Sequence, residues 1–305
     1  MSRTSFVTAL APALWGTTYL VTTGFLPPDR PLLAAAIRVM PVGLLFVLWS
    51  RRLPFGHWWW RTAVLGSLNF GVFQALLFVA AYRLPGGVAA TAGAVQPLVV
   101  AAFASFLLGE RFRAVTAVAS VLGVVGVGLL VLTPQAALDP VGVAAAIGGT
   151  VSMAAGIVLT KHWGRPVGLL TFTGWQLVAG GLLLLPASLL VEGLPPVFTG
   201  RNWAGAVWLA VVGTGLAYSL WFRGIERLPA AGVSFLVLLS PLTASVLGWV
   251  VLEQSLTVGQ LAAAALIGVA VIAAQLGGTG ARPNRSDVLI GPSHRADTKK
   301  YVRAH

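Results

Sequence analysis

The amino-acid sequence predicts an all-α membrane protein: ten transmembrane helices in two inverted five-helix repeats around a central cavity. Three observations carry that expectation. The 305 residues are 57% hydrophobic and only 9% charged, whereas soluble domains carry roughly 25% charged residues. Short phrases recur 144 positions apart: Phe78 with Phe222, Arg83-Leu84-Pro85 with Arg227-Leu228-Pro229, and Pro97 with Pro241. Finally, the basic residues collect on alternate loops.

A membrane-crossing helix needs about 20 mostly apolar residues. Ten such runs can be read, at 4–24, 31–50, 58–82, 86–108, 113–133, 139–161, 167–191, 202–225, 230–252 and 257–276. Between them stand short punctuated breaks such as "FLPPDRP", "SRRLPFGH", "GERFR", "KHWGRP" and "EQSLT". The first run follows Ser2 and Arg3, as a secretory leader would. It contains Pro12, Trp15 and Tyr19, however, and shows no small-x-small cleavage site, so it is expected to be retained. Period-two alternation is absent, which argues against a transmembrane barrel. With no cysteine there is neither a disulfide framework nor a thiolate metal site. No metal or cofactor is predicted. The expected organisation is a first repeat over 1–133, a second over 139–276, and a flexible basic cytoplasmic tail over 277–305.

A net charge of +12 invites a nucleic-acid reading, but the distribution speaks for topology. With the N-terminus in the cytoplasm, sixteen of the twenty Lys and Arg residues fall on that side. Three fall on the other, and Arg38 lies within a helix. Positive residues mark cytoplasmic loops, so both termini are expected inside, with a lipid bilayer and no nucleic acid as partner.

The 144-residue offset covers five helices, an odd number, so the second copy must cross the membrane upside down. Trp59/Trp203 and Gly71/Gly215 keep that offset. Earlier helices pair at 138, as Thr22/Thr160, Arg38/Gln176 and Gly43/Gly181, and Glu110 pairs with Glu253 at 143. Inverted halves around a midplane site are an architecture of secondary transporters, which rock one half against the other.

Polar groups inside the bilayer must be satisfied away from water, so they mark candidate chemistry. Ser67, Phe70, Gln74 and Phe78 share one face of helix 3 by their spacing. Their counterparts in helix 8 are Val211, Thr214, Tyr218 and Phe222, with Trp221 close by. These faces are expected to form opposite walls of one cavity. Trp15, Thr18, Tyr19 and Thr22 share a face of helix 1. Gln96-Pro97 and Ser240-Pro241 have two compatible readings. A proline within a helix frees the carbonyl four residues earlier, for a substrate ammonium, or it acts as a gating kink. Arg38 is the one charge inside a helix, where it costs about 2.5–3.5 kcal/mol on insertion scales. It serves either a substrate carboxylate or the carbonyls at a neighbouring helix end. Trp163 either covers the cavity mouth or belongs to an interfacial aromatic belt. Glu110 and Glu253 are read as contacts at helix ends.

The phrases "ALAPALWGTTYLV", "AAAIRVMPVGLLF" and "SP…VLEQSLTVGQLAAAALIGVAVI" resemble the EamA-type drug/metabolite transporter superfamily across about residues 5–276. Within it the chain is similar to bacterial exporters of amino acids, including aromatic ones. That resemblance implies a bacterial inner-membrane protein with a cavity lined by helices 1, 3, 4, 6, 8 and 9, and peripheral helices 5 and 10. It implies a small-molecule substrate, an amino acid, handled by a monomer or dimer. The helix-1 glutamate used by small multidrug pumps of the superfamily is absent here. No Asp, Glu or His stands mid-helix, which weakens proton-coupled antiport and an intramembrane enzyme. A facilitative exporter working by alternating access is expected.

Overall fold

The computed structural model describes residues 3–84, 93–110, 114–131, 139–251 and 258–278. Glu253 and the predicted tail beyond 278 lie outside the described residues. Among the described residues every regular element is helical. In chain order these are α1 (Arg3–Trp15), α2 (Thr18–Phe25), α3 (Pro31–Ser50), α4 (Trp58–Arg83) and α5 (Gln96–Leu108). Then follow α6 (Ala114–Val131), α7 (Pro140–Trp163), α8 (Leu169–Val191), α9 (Gly200–Arg227), α10 (Ala230–Phe235), α11 (Leu239–Val251) and α12 (Val258–Gly278).

Among the described residues six stretches are long and apolar enough to cross a membrane: α3, α4, α7, α8, α9 and Gly232–Val251. Shorter apolar helices occupy Gln96–Leu108, Ala114–Leu129 and Leu261–Ala274. The most exposed side chains include Trp49 at 86%, Phe106 at 89% and Leu190 at 86%. A surface so apolar suits hydrocarbon rather than water.

The first predicted run, 4–24, is not one helix. It breaks between α1 and α2, where the Thr17 N–H bonds to Leu14 O in a tight turn and the Thr17 hydroxyl donates to the same carbonyl. Gly16 sits at the break because α11 crosses there. A Cβ on Gly16 would lie 2.6 Å from Thr243 Cβ and 2.7 Å from Ser240 O. Packing of small residues lets apolar helices approach without a hydrophobic drive between them, and the same logic joins α3 to α8. A Cβ on Gly43 would lie 2.8 Å from Leu177 Cβ, and one on Gly181 would lie 2.7 Å from Met40 Sδ.

Among the described residues two helices carry π-helical segments, Ser67–Val72 in α4 and Trp208–Leu216 in α9. Each is followed by eleven α-helical residues, Phe73–Arg83 and Ala217–Arg227, which begin and end 144 positions apart. Each closes the same way, Leu84 N–H to Ala80 O and Leu228 N–H to Gly224 O. The repeated phrases therefore fold into repeated local geometry. The two proline phrases also behave alike. Pro97 stands in the first turn of α5 after a break at Val95, and Pro241 stands in the first turns of α11 after a 3-10 turn, Leu236–Leu238. In a first helical turn proline forfeits no helical bond.

Candidate functional site: a central cavity

A cavity of about 530 Å³ lies between the helices, lined from α1, α2, α3, α4, α7, α9 and the segments around Gln96 and Ser240. No described residue of α6, α8 or α12 borders it. It reaches the surface beside Pro28 and Asp29, which are both exposed.

Arg38 supplies the charge. It stands two turns into α3, is 2% exposed, and borders the cavity. Its Nε donates to Thr214 Oγ1 at 3.3 Å and a terminal nitrogen donates to Gly213 O at 3.3 Å. The Trp15 indole N–H donates to the same Gly213 carbonyl at 3.0 Å. A π-helical segment departs from regular i→i−4 bonding, and here it holds a carbonyl where two side chains reach it. The burial cost of the guanidinium is thus offset by neutral acceptors from α9.

Tyr218, one turn beyond Thr214 on α9, lines the cavity as well. Its ring packs on Trp15, with centroids 4.8 Å apart, and on Phe70 at 4.6 Å. Its hydroxyl accepts from Gln74 Nε2 at 3.0 Å, so two residues 144 positions apart in sequence touch each other. Three other polar groups of the lining are unengaged. The Thr18 and Thr22 hydroxyls and the Gln96 amide nitrogen are buried and have no hydrogen-bond partner among the described residues.

The predicted residues therefore separate into groups. Trp15, Arg38, Phe78, Gln96, Tyr218, Ser240 and Pro241 line the cavity. Gln74, Phe70 and Trp221 stand a layer behind, holding Tyr218 and Trp15 by the contacts above and by the 5.1 Å Trp15–Trp221 pair. Pro97 is buried next to Gln96 without bordering the space. The Tyr19 side chain lies outside the described residues. Trp163 is elsewhere. It meets Trp60 edge-on at 5.1 Å, and the Arg61 guanidinium lies 5.4 Å from its ring, in a cluster away from the cavity.

Sequence reasoning passed over Tyr82, Met153 and Asp29. Tyr82 continues the α4 face one turn beyond Phe78, and its hydroxyl donates to Pro27 O at 3.2 Å. Met153 is the 138-offset counterpart of Trp15, so the repeat itself held the signal. Asp29 carries none in sequence, because only the loop's shape, with φ 54°, brings it to the rim.

Away from this mouth several helix ends are tied together. Lys161 Nζ lies 3.4 Å from Glu110 Oε1 and donates to Leu228 O. The Ala230 N–H donates to the same Glu110 oxygen at 3.2 Å, and Arg165 pairs with Glu226. These contacts join the ends of α5, α7 and α9 to the start of α10.

The EamA-like transporter family matches this sequence twice, at residues 3–132 and 140–274. Protein PecM of Dickeya dadantii is 49% identical over 267 residues, 87% of this chain and 90% of that one. The uncharacterized transporter sll0355 of Synechocystis sp. is 28% identical, over 83% of this chain and 84% of that one. A crystal structure superposes with a TM-score of 0.75, covering 91% of this chain and 99% of that chain at 22% identity, a likeness of fold. Together with the apolar helices, these matches make the chain a multi-pass membrane protein that belongs to the EamA-like transporter family.

Proposed function

We propose that the chain is a secondary exporter of small metabolites, with aromatic or other hydrophobic amino acids as its substrates. The observation that carries this reading is the central cavity. It is large enough for a small molecule, walled by Trp15, Phe78 and Tyr218, and supplied with one guanidinium, Arg38. The guanidinium takes the substrate carboxylate through paired N–H donors. The aromatic walls take the side chain. Backbone carbonyls at the helix breaks beside Gln96 and Ser240 take the ammonium.

Ten spans in two inverted halves accomplish the movement. The hydrogen bond between Gln74 and Tyr218 supports this, because equivalent positions meet where a two-fold axis passes. The state described here has its cavity reaching the Pro28–Asp29 end, and alternating access requires the Lys161–Glu110 lock to open as that mouth closes. By the distribution of basic residues the locked end faces the cytoplasm, in a bacterial inner membrane. The described cavity lining carries no glutamate or histidine, and its one aspartate sits at the exposed rim. Transport is therefore facilitative, with export set by high internal substrate.

Proteoliposomes containing the full chain and preloaded with phenylalanine, tryptophan or leucine test this. Release and counterflow should proceed without an imposed ion gradient. Concentrative movement driven by a pH gradient alone would replace this reading with proton antiport. Failure of all three substrates to exchange would remove the amino-acid assignment.

A further inference from the structure

A second concavity, of about 310 Å³, lies apart from the transport cavity between the start of α1 and the end of α9. Arg3, Arg223 and Arg227 line it together with Thr4, Val7 and Thr8. All three arginines are exposed. None belongs to an ion pair among the described residues, where Glu226, the carboxylate adjacent to Arg227 in sequence, is committed to Arg165. Three guanidiniums in one hollow repel each other and call for a shared anion. Guanidinium groups match phosphate oxygens with parallel N–H donors. The N-terminal end of α1, a helix of 13 residues, adds the partial positive charge of its helix dipole beside them.

The surroundings distinguish a lipid phosphate from a free one. The hollow lies at the end of two apolar helices. Val7 forms part of its wall, and Phe6 and Leu10 on α1 are 63% and 44% exposed. A headgroup phosphate seated on the arginines leaves its acyl chains lying along that apolar face. Basic pockets between membrane helices hold anionic headgroups in this manner. We propose that Arg3, Arg223 and Arg227 form a binding site for the phosphate of an anionic phospholipid. Arg227 closes α9 immediately before Leu228, whose carbonyl accepts from Lys161. The bound lipid therefore fastens α1 to the tied end of the bundle.

The test is direct binding of acyl-labelled phosphatidylglycerol to the full chain in detergent. Unlabelled phosphatidylglycerol, phosphatidylcholine and inorganic phosphate serve as competitors. Saturable binding should be displaced by phosphatidylglycerol and not by the other two. The triple variant R3Q/R223Q/R227Q should bind about a hundredfold more weakly. Arg3→Gln alone, at an exposed position that leaves the packed core intact, should weaken binding about fivefold. Equal competition by phosphatidylcholine, or unchanged binding in both variants, would overturn the site. Displacement by inorganic phosphate would equally overturn it, reducing it to an ion site without lipid preference.

Discussion

Two buried polar clusters occupy corresponding places in the two repeats and do different things. In one, Arg38 of α3 reaches Gly213 O and Thr214 Oγ1 in the π-helical segment of α9. In the other, Gln176 of α8, at the 138-residue offset from Arg38, accepts from Asn69 Nδ2 at 2.8 Å in the π-helical segment of α4. The partners correspond as well, since Asn69 and Gly213 are 144 apart. Asn69 also donates to Thr160 Oγ1 at 3.2 Å, which makes its cluster a neutral link among α4, α7 and α8. Arg38 borders the cavity, while Asn69 and Gln176 are 0% exposed and do not border it. The scaffold is shared, and the chemistry differs at both partners, Arg38 against Gly213 in one cluster and Gln176 against Asn69 in the other. A charge is tolerated where open space and polar acceptors adjoin it, and an amide closes the place where they do not.

The largest expected effect comes from making the two clusters alike. Gln176→Arg would bury a guanidinium away from the cavity, a cost of about 2.5–3.5 kcal/mol on insertion scales. Little folded protein should survive detergent extraction. A monodisperse, thermally normal Q176R would show that the clusters are interchangeable. The reciprocal change, Arg38→Gln, installs the amide that the other repeat already accommodates. It should leave the melting temperature nearly unchanged and reduce counterflow of a carboxylate substrate by about 10- to 100-fold, the value of a charge-assisted pair. Retained transport would remove Arg38 from substrate recognition.

Asn69→Ala inverts that pattern. It deprives the Gln176 carbonyl oxygen of its donor in a buried site, for a loss of about 1–3 kcal/mol, while transport per folded molecule persists. Thermal unfolding and counterflow on the same preparation separate the two quantities, and a transport defect without a stability defect would contradict it.

A smaller effect is expected at the tied end. Lys161→Met removes a half-buried ion pair worth about 1 kcal/mol or less. It should shift the balance between states by up to about fivefold. Labelling of a single cysteine introduced at Ala230 should then accelerate, and an unchanged rate would exclude Lys161 as a lock.

The smallest effect concerns Asp139 at the start of α7. The Gly142 N–H, then the Val141 N–H and Arg83, hold its carboxyl below the usual carboxylate range. Its contribution is complete above the unfolded value of about 3.9 and fades as pH falls through the lower folded value. Melting curves of the parent and Asp139→Asn should differ near neutrality and converge in acid. Curves that stay parallel down to pH 3 would sink the assignment.

Much of the cavity was legible as periodicity. Phe78 and Tyr218 lay on faces read from three- and four-residue spacing, and Trp15 on a similar face of the first run. The cost of burying a charge singled out Arg38. Tyr82 was missed because the α4 face was followed one turn too few. Asn69 was missed because a π-helical segment advances the chain by more than 3.6 residues per turn, so spacing alone rotates it off its true face. The break after Trp15 was invisible for a different reason, since it depends on α11 crossing at Gly16.

The sequence by itself determined that this chain lives in a membrane, that its helices are apolar, and that its phrases are written twice. Those properties follow from hydropathy, charge count and offset, which need no knowledge of neighbours. Tertiary structure alone decided which polar groups face open space. Arg38 and Gln176 sit at corresponding positions in similar helices. Their fates diverge because the first is packed beside the open space around Trp15 and Tyr218, and the second beneath Asn69. Solvation of a buried polar atom is set by what lies across the gap from it, and that neighbour is hundreds of atoms away along the chain.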